Sequence, residues 1–208
     1  KLTYEDYCLL PDDGRRHEII DGEHYVNPSP NTKHQTVSRN LSFALWEHVR
    51  EHDLGEIFYA PYDVVLSDFD IVEPDIIFVS AARSHIITGA NIQGAPDLVV
   101  EILSPSNRKY DEVVKFKRYD TLGVSEYWII DPIAQVVEQY VLDADAYTLV
   151  IKANTGVIRS RAVGGFAAIG KALLGLGVAD RHTTHRRRFE PRGFFRRLVE
   201  LGHAILEL

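Results

Sequence analysis

Two carboxylates stand where apolar residues are expected. Glu101 lies in the middle of Pro96-Asp-Leu-Val-Val-Glu-Ile-Leu103, and Asp75 follows Pro74 within Ile71-Val-Glu-Pro-Asp-Ile-Ile-Phe-Val79. An ionised carboxylate in such a segment is costly to bury unless a cation or hydrogen-bond donors meet it. Lys115 and Lys117 follow soon after, in a stretch of helical pattern. Two acids on neighbouring strands can face one point and share a divalent ion, and oxygen ligands of this kind suit magnesium or manganese. Each acid taken alone also reads as a strand-end group satisfied by backbone or arginine.

The elements that must position these groups follow from local pattern. Thr3 to Leu10 predicts a short helix, with Thr3 as its cap and acids in its first turn. Glu18 to Val26 predicts a hairpin turning at Asp21-Gly22. From Thr32 the pattern is helical, with Val37, Leu41, Ala44, Leu45 and Val49 on one face until His52-Asp-Leu-Gly55. Three strand-like segments come next: Glu56 to Leu66, in which Pro61 suggests an edge or bulge, then Ile71 to Val79 and Asp97 to Leu103. Ser80 to Ala95 between the last two reads as a loop or short helix. Ser104-Pro105-Ser106 stops the third strand, and Asp111 opens a helix to about Leu122 that Gly123 ends. Glu126 to Ile130 is another strand, and Val136–Leu142 with Tyr147–Lys152 predicts a hairpin. Helices interleaving a mixed sheet place the chain in the α/β class, as an α+β mixed sheet.

The 208 residues suffice for one sizeable core with an appendage, and 45% hydrophobic with 25% charged residues are ordinary for a globular protein. A single cysteine, Cys8, precludes an internal disulfide and fits a reducing cytoplasm. No signal peptide or membrane span is visible. The net charge of −7 is unevenly spread: residues 1–150 carry 12 Lys and Arg against 26 Asp and Glu, and residues 151–208 carry 11 against 4. An acidic body attracts nucleic acid poorly at long range, yet an acidic site can hold a divalent cation. The expected division is a domain over 1–166 and a basic, amphipathic C-terminal helical extension over 167–208. There Phe194, Leu198, Leu201, Ile205 and Leu208 form a helical stripe after an arginine-rich run.

Pro74-Asp75, Pro96-Asp-Leu-Val-Val-Glu101, Ser104-Pro-Ser106, Asp111, Lys115, Tyr119, Gly123-Val124 and Glu126-Tyr-Trp-Ile-Ile-Asp-Pro132, taken as a set, resemble the Uma-two family. That family is a bacterial group of endonucleases in the PD-(D/E)xK superfamily, with the restriction-endonuclease-like fold. The resemblance spans about residues 3–166, including His17-Glu18 with Asp21-Gly22 and the Ser29-Pro30 to His34 segment. It implies a restriction-endonuclease-like core carrying an N-terminal helix and hairpin. One departure is visible: the superfamily's lysine normally lies two residues after the strand acid, where this chain has Leu103. The resemblance moves that lysine to the following helix, at Lys115, with Lys117 as the nearby alternative. Positions 115 and 117 are about 200° apart on a helix, so only one faces the site, and Lys115 shares its face with Tyr119.

The resemblance implies metal-dependent hydrolysis of DNA phosphodiester bonds. Asp75, Glu101 and the carbonyl of Ile102 would hold Mg2+ or Mn2+, Lys115 would orient the attacking water, and Glu18 matches the superfamily's upstream acid. Asp97, Tyr119 and His34 are candidates for supporting positions around these groups. DNA is the expected partner, a homodimer would suit cutting of two strands, and no other cofactor is implied. Two rivals remain: a binding or dimerisation module of the same fold that does not cut, and a hydrolase of small phosphoesters. His48 and His52 have metal-compatible spacing but lack the glutamate of a zinc-protease motif, so they are expected on a solvated face, like His182 and His185. No phosphate-binding loop, dinucleotide fingerprint or nucleophile elbow is present.

Overall fold

The computed structural model describes residues 1–105, 108, 110–170 and 174, so the expected C-terminal helical stripe lies outside the described residues. The first elements follow the local pattern. Helix α1 (Tyr4–Tyr7) is capped by Thr3, whose hydroxyl accepts from the Asp6 amide while the Asp6 carboxylate accepts from the Thr3 amide. Strands β1 (Arg16–Ile20) and β2 (Glu23–Asn27) form the hairpin, and Asp21 and Gly22 take φ of 51° and 76°. Positive φ at both central residues is what a type I′ turn requires. Helix α2 (Thr32–Glu51) starts at an Asn31 cap and buries the predicted stripe of Val37, Leu41, Ala44, Leu45 and Val49.

The next two expected strands each prove to be two. Glu56 to Leu66 divides at Pro61 into β3 (Gly55–Tyr59) and β4 (Val64–Ser67), and Ile71 to Val79 divides at Pro74 into β5 (Asp70–Val72) and β6 (Ile76–Ser80). Proline has no N–H for a ladder, so pairing stops there. A 3-10 turn (Ala81–Ile86) and β7 (Ile92–Gln93) occupy the expected loop, followed by β8 (Leu98–Ile102). The helical stretch after it begins as a π turn (Tyr110–Lys115) and continues as α3 (Phe116–Leu122), ended by Gly123 at φ 85°. Then come β9 (Glu126–Asp131), the hairpin of β10 (Val136–Asp143) and β11 (Ala146–Ala153), and a small pair, β12 (Val157–Arg159) with β13 (Ala167–Ile169). That last pair has no counterpart in the sequence pattern.

The split strands go to different sheets. One sheet has the order β2-β1-β5-β4-β7 and the other β11-β10-β9-β8-β6-β3, with β8 and β9 parallel and β6 antiparallel to β8. On one face of the six-stranded sheet, Ile76, Phe78, Leu98, Val100, Trp128 and Ile130 pack with the buried stripe of α2. On the other, Ile77, Val79, Val99, Tyr127 and Ile129 pack with Ile20, Val64 and Val72 of the first sheet and with Tyr119 of α3. The strand period of two feeds both layers. Among the described residues no helix is long and apolar enough to cross a membrane.

Glu126, at the start of β9, is 0% exposed. Its carboxylate accepts from Trp128 Nε1 and Gln139 Nε2, both at 2.6 Å, from Ser160 Oγ at 2.8 Å, and from the Arg161 and Ala162 amides at 2.9 and 2.6 Å. These bonds tether the segment after β12 to the central sheet. Removing the acceptor strands buried donors at roughly 1–3 kcal/mol each. Glu126→Ala should therefore lower unfolding free energy by about 3 kcal/mol or more in urea titration, and a loss below about 1 kcal/mol would show that the tether is not structural.

Candidate active site

The register of two strands brings the two anomalous acids together. In the β6–β8 ladder Ile76 lies opposite Val100, so one step outward Asp75 comes opposite Glu101. Directly opposed residues share a face, with Cβ atoms about 4.5–5.5 Å apart. Glu101 falls between Val99 and Leu103, both in the core beside α3 and the first sheet, and so points the same way. Asp75 is not inside a strand, as expected from sequence, but in the break between β5 and β6 that Pro74 makes.

Lys115 joins this pair from the end of the π turn. Its Nζ lies 2.8 Å from Glu18 Oε1, 2.9 Å from Glu101 Oε1 and 3.8 Å from Asp111 Oδ1, with only 2% of its side chain exposed. Lys117, about half a turn away, is exposed. Glu18 comes from β1 of the other sheet and is 0% exposed. Its Oε1 also accepts from the Glu73 amide at 2.7 Å, and its Oε2 accepts from Asn27 Nδ2 at 2.6 Å. Glu101 Oε1 takes a second donor, the Tyr119 hydroxyl, at 2.8 Å. Asp75 Oδ2 accepts from the Ile102 amide at 2.8 Å and from His34 Nε2 at 3.0 Å, while Arg16 Nη1 lies 3.4 Å from Oδ1. Arg16 also donates to the Glu73 carbonyl. Farther along α3, Arg118 donates to both oxygens of buried Asp70 on β5, at 2.7 and 2.5 Å, which seats the helix on the first sheet.

Burial and charge act in opposite directions here. Burial is the largest influence on the Glu18 carboxyl and would raise it, but the Lys115 charge together with hydrogen bonds from Lys115, the Glu73 amide and Asn27 outweighs it, and the net shift is downward. Asp75 is likewise lowered, because His34, Arg16 and the Ile102 amide outweigh its burial. For Glu101 burial prevails, and its pKa rises to about 7 against the pull of Lys115, helped by the charges of Asp75 and Glu18. Asp111 is raised well above the carboxylate range, chiefly by burial. Burial would lower Lys115, yet Glu101, Glu18 and Asp111 hold it well above its usual value, so it remains an ammonium.

Asp75, Glu101, Ile102 and Asp111 line one small cavity of about 20 Å3, with Arg16, Asn27 and His34 at its walls. That is room for about one water or ion. Among the described residues no three His, Cys, Asp or Glu side chains are disposed to hold one ion. Two carboxylates, a main-chain carbonyl and water are nevertheless an oxygen donor set that fits magnesium, which is commonly bound through one or two carboxylates and keeps several waters.

Of the sequence candidates, Glu18, Asp75, Glu101, Ile102, Lys115, Tyr119 and His34 converge. Asp97 does not. It lies at the far end of β8, roughly 13 Å of strand from Glu101, and its carboxylate instead receives the Ser80 amide at 2.8 Å and Arg83 at 3.1 Å. His48 is not on a solvated face: it is 6% exposed, with its Nε2 2.9 Å from the Gly164 carbonyl. His182 and His185 lie outside the described residues. Sequence reasoning missed Arg16, Asn27 and Asp111. Signals existed for two of them: Arg16 is two residues from Glu18 on one strand face, and Asp111 is one turn from Lys115.

Comparisons with known proteins bear on the fold and the family. A family model described as Uma2, "Putative restriction endonuclease", matches residues 4–169. The chain is similar to the uncharacterized protein slr1290 of Synechocystis, 26% identical over 156 residues that cover 73% of this chain and 80% of that protein. Its fold is similar to a crystal structure of a "putative nuclease belonging to DUF820" from Anabaena variabilis. The TM-score is 0.71 and the identity 20%, over 85% of this chain and 99% of that one. With the family model spanning most of its length, the chain belongs to the Uma2 family, and its fold is that of the restriction-endonuclease-like proteins.

Proposed function

We propose that the chain is a metal-dependent endonuclease that hydrolyses DNA phosphodiester bonds. The observation that carries this reading is the Lys115 ammonium, 2.8 Å from Glu18 and 2.9 Å from Glu101, beside the cavity that Asp75, Glu101 and Ile102 line. A magnesium or manganese ion there would supply positive charge against the phosphate and make water more acidic. Asp75 and Glu101 would hold the ion, together with the Ile102 carbonyl. The Ile102 amide and His34 fix Asp75 in orientation, and Tyr119 and Lys115 fix Glu101.

Lys115 acts as a permanent cation. Glu101 and Glu18 hold its proton, so it serves as a hydrogen-bond donor that orients the attacking water and offsets negative charge on the phosphate. Glu18 positions that ammonium and is itself positioned by Asn27 and the Glu73 amide. Arg16, at the cavity wall and 3.4 Å from Asp75 Oδ1, would donate to a phosphate oxygen.

Cleavage of plasmid DNA in magnesium or manganese tests the chemistry. Glu101→Gln and Lys115→Met should each lower the cleavage rate by about 100-fold or more, and Lys117→Ala should leave it within about twofold. Turnover of a small phosphodiester that DNA does not inhibit would instead support the small-phosphoester rival. DNA binding with no cleavage by any form would support the binding module.

Ion binding can be read without activity. Manganese at millimolar concentration should raise the melting temperature of the wild type by a few degrees through mass action. Asp75→Asn should abolish that rise, and an equal rise in the variant would remove Asp75 from the ion site.

A further inference from the structure

A second cavity shares wall residues with the first. It runs between α2 and the edge strand β3, encloses about 680 Å3, and shares Arg16, His34 and Asp75 with the small cavity beside Lys115. Its walls carry two large exposed aromatics, Trp46 of α2 at 43% and Tyr59 of β3 at 65% exposure. Arg50 lies over the Trp46 ring, 4.6 Å from its centroid, a cation–π contact that holds the indole in place. Arg39, two helical turns before Trp46 on the same face of α2, is exposed on the same wall. Neither aromatic is used by the chemistry proposed above.

The lining has the composition of a strand-binding channel. Flat rings that offer a face to a base, interleaved with guanidinium groups that meet phosphate, are how unpaired nucleic acid is gripped. A duplex keeps its base faces inside the stack and presents phosphates and groove edges, so rings at 43% and 65% exposure have nothing to stack on. The arginines also supply local positive charge on a chain whose net charge is −7. We infer that this groove binds an unpaired stretch of the DNA strand. Its bases stack on Trp46 and Tyr59, Arg39 holds the backbone, and Arg16 holds a phosphate at the mouth of the small cavity. The inference rests on the nuclease reading and narrows its substrate to single-stranded, frayed or locally opened DNA.

Binding is measured in chelator, so that it is independent of cleavage, with a labelled oligothymidylate and a duplex of equal length. The chain has two tryptophans, and Trp128 is fully buried, so quenching of tryptophan emission by the oligonucleotide reports Trp46. The single strand should quench it and bind tighter than the duplex. Trp46→Ala and Tyr59→Ala should each weaken binding about five- to a hundredfold. Arg39→Ala should weaken it with a shallower salt dependence, and melting curves of all three should stay near wild type. Unchanged oligonucleotide affinity in Trp46→Ala/Tyr59→Ala, tighter binding of duplex, or loss of self-association in Trp46→Ala without loss of DNA binding would each overturn the groove assignment. Plasmid cleavage in magnesium is scored separately. Cleavage that persists when the groove variants bind like wild type removes the groove and leaves the nuclease, whereas quenching without cleavage removes the nuclease and keeps the groove.

Discussion

A buried ammonium holds the centre of this protein together. Lys115 Nζ is enclosed, and its charge is met by Glu18 on one sheet and Glu101 on the other, with the Asp111 carboxyl 3.8 Å away on its own turn. Neither side of this arrangement is stable without the other, because an unpaired ion in a low-dielectric interior carries a desolvation penalty of several kcal/mol. The cluster therefore fixes how the hairpin, the central strand and α3 sit relative to one another. Around it the remaining lone pairs are taken by Asn27, Tyr119 and the Glu73 amide, which is the condition under which a buried ion network is tolerated.

Two prolines shape the surroundings of that cluster. Pro61 and Pro74 each end a strand, and the chain on either side of each joins a different sheet. The break at Glu73-Pro74-Asp75 has a direct use. The Glu73 amide donates to Glu18 because no ladder partner claims it, and the Asp75 carboxylate reaches the Ile102 amide at the end of β8. A regular strand through 71–79 would have spent those groups on pairing. The polar centre forms where two ladders stop.

Charge is arranged locally rather than globally. The body is acidic, so its long-range field does not attract a polyanion, and its cations act locally at the site. Arg16 is the pivot: it lines both the small cavity and the groove along α2, and in this conformation it lies against Asp75 and Glu73. The Glu73 carboxyl is itself raised to about 7, chiefly by burial. The Arg16 guanidinium is thus held against the site's own acids.

The sequence by itself determined the local elements and much of the centre. The Asp21-Gly22 turn, the α2 stripe, the Gly123 stop and the β10–β11 hairpin follow from periodicity and turn chemistry, which are short-range properties. Glu101 and Asp75 stood out because a carboxylate amid apolar neighbours violates burial rules unless something meets it. The helical repeat alone puts Lys115 and Lys117 on opposite faces, so their different fates are a local property too. Tertiary structure decided the rest. The assignment of half-strands to two sheets, the reach of Glu18 across to Lys115, and the partners of Asp97 and His48 depend on contacts between residues 14 to 116 positions apart. No local propensity encodes such contacts, because they are fixed by which sheet faces pack together and by the need to give every buried charge a partner.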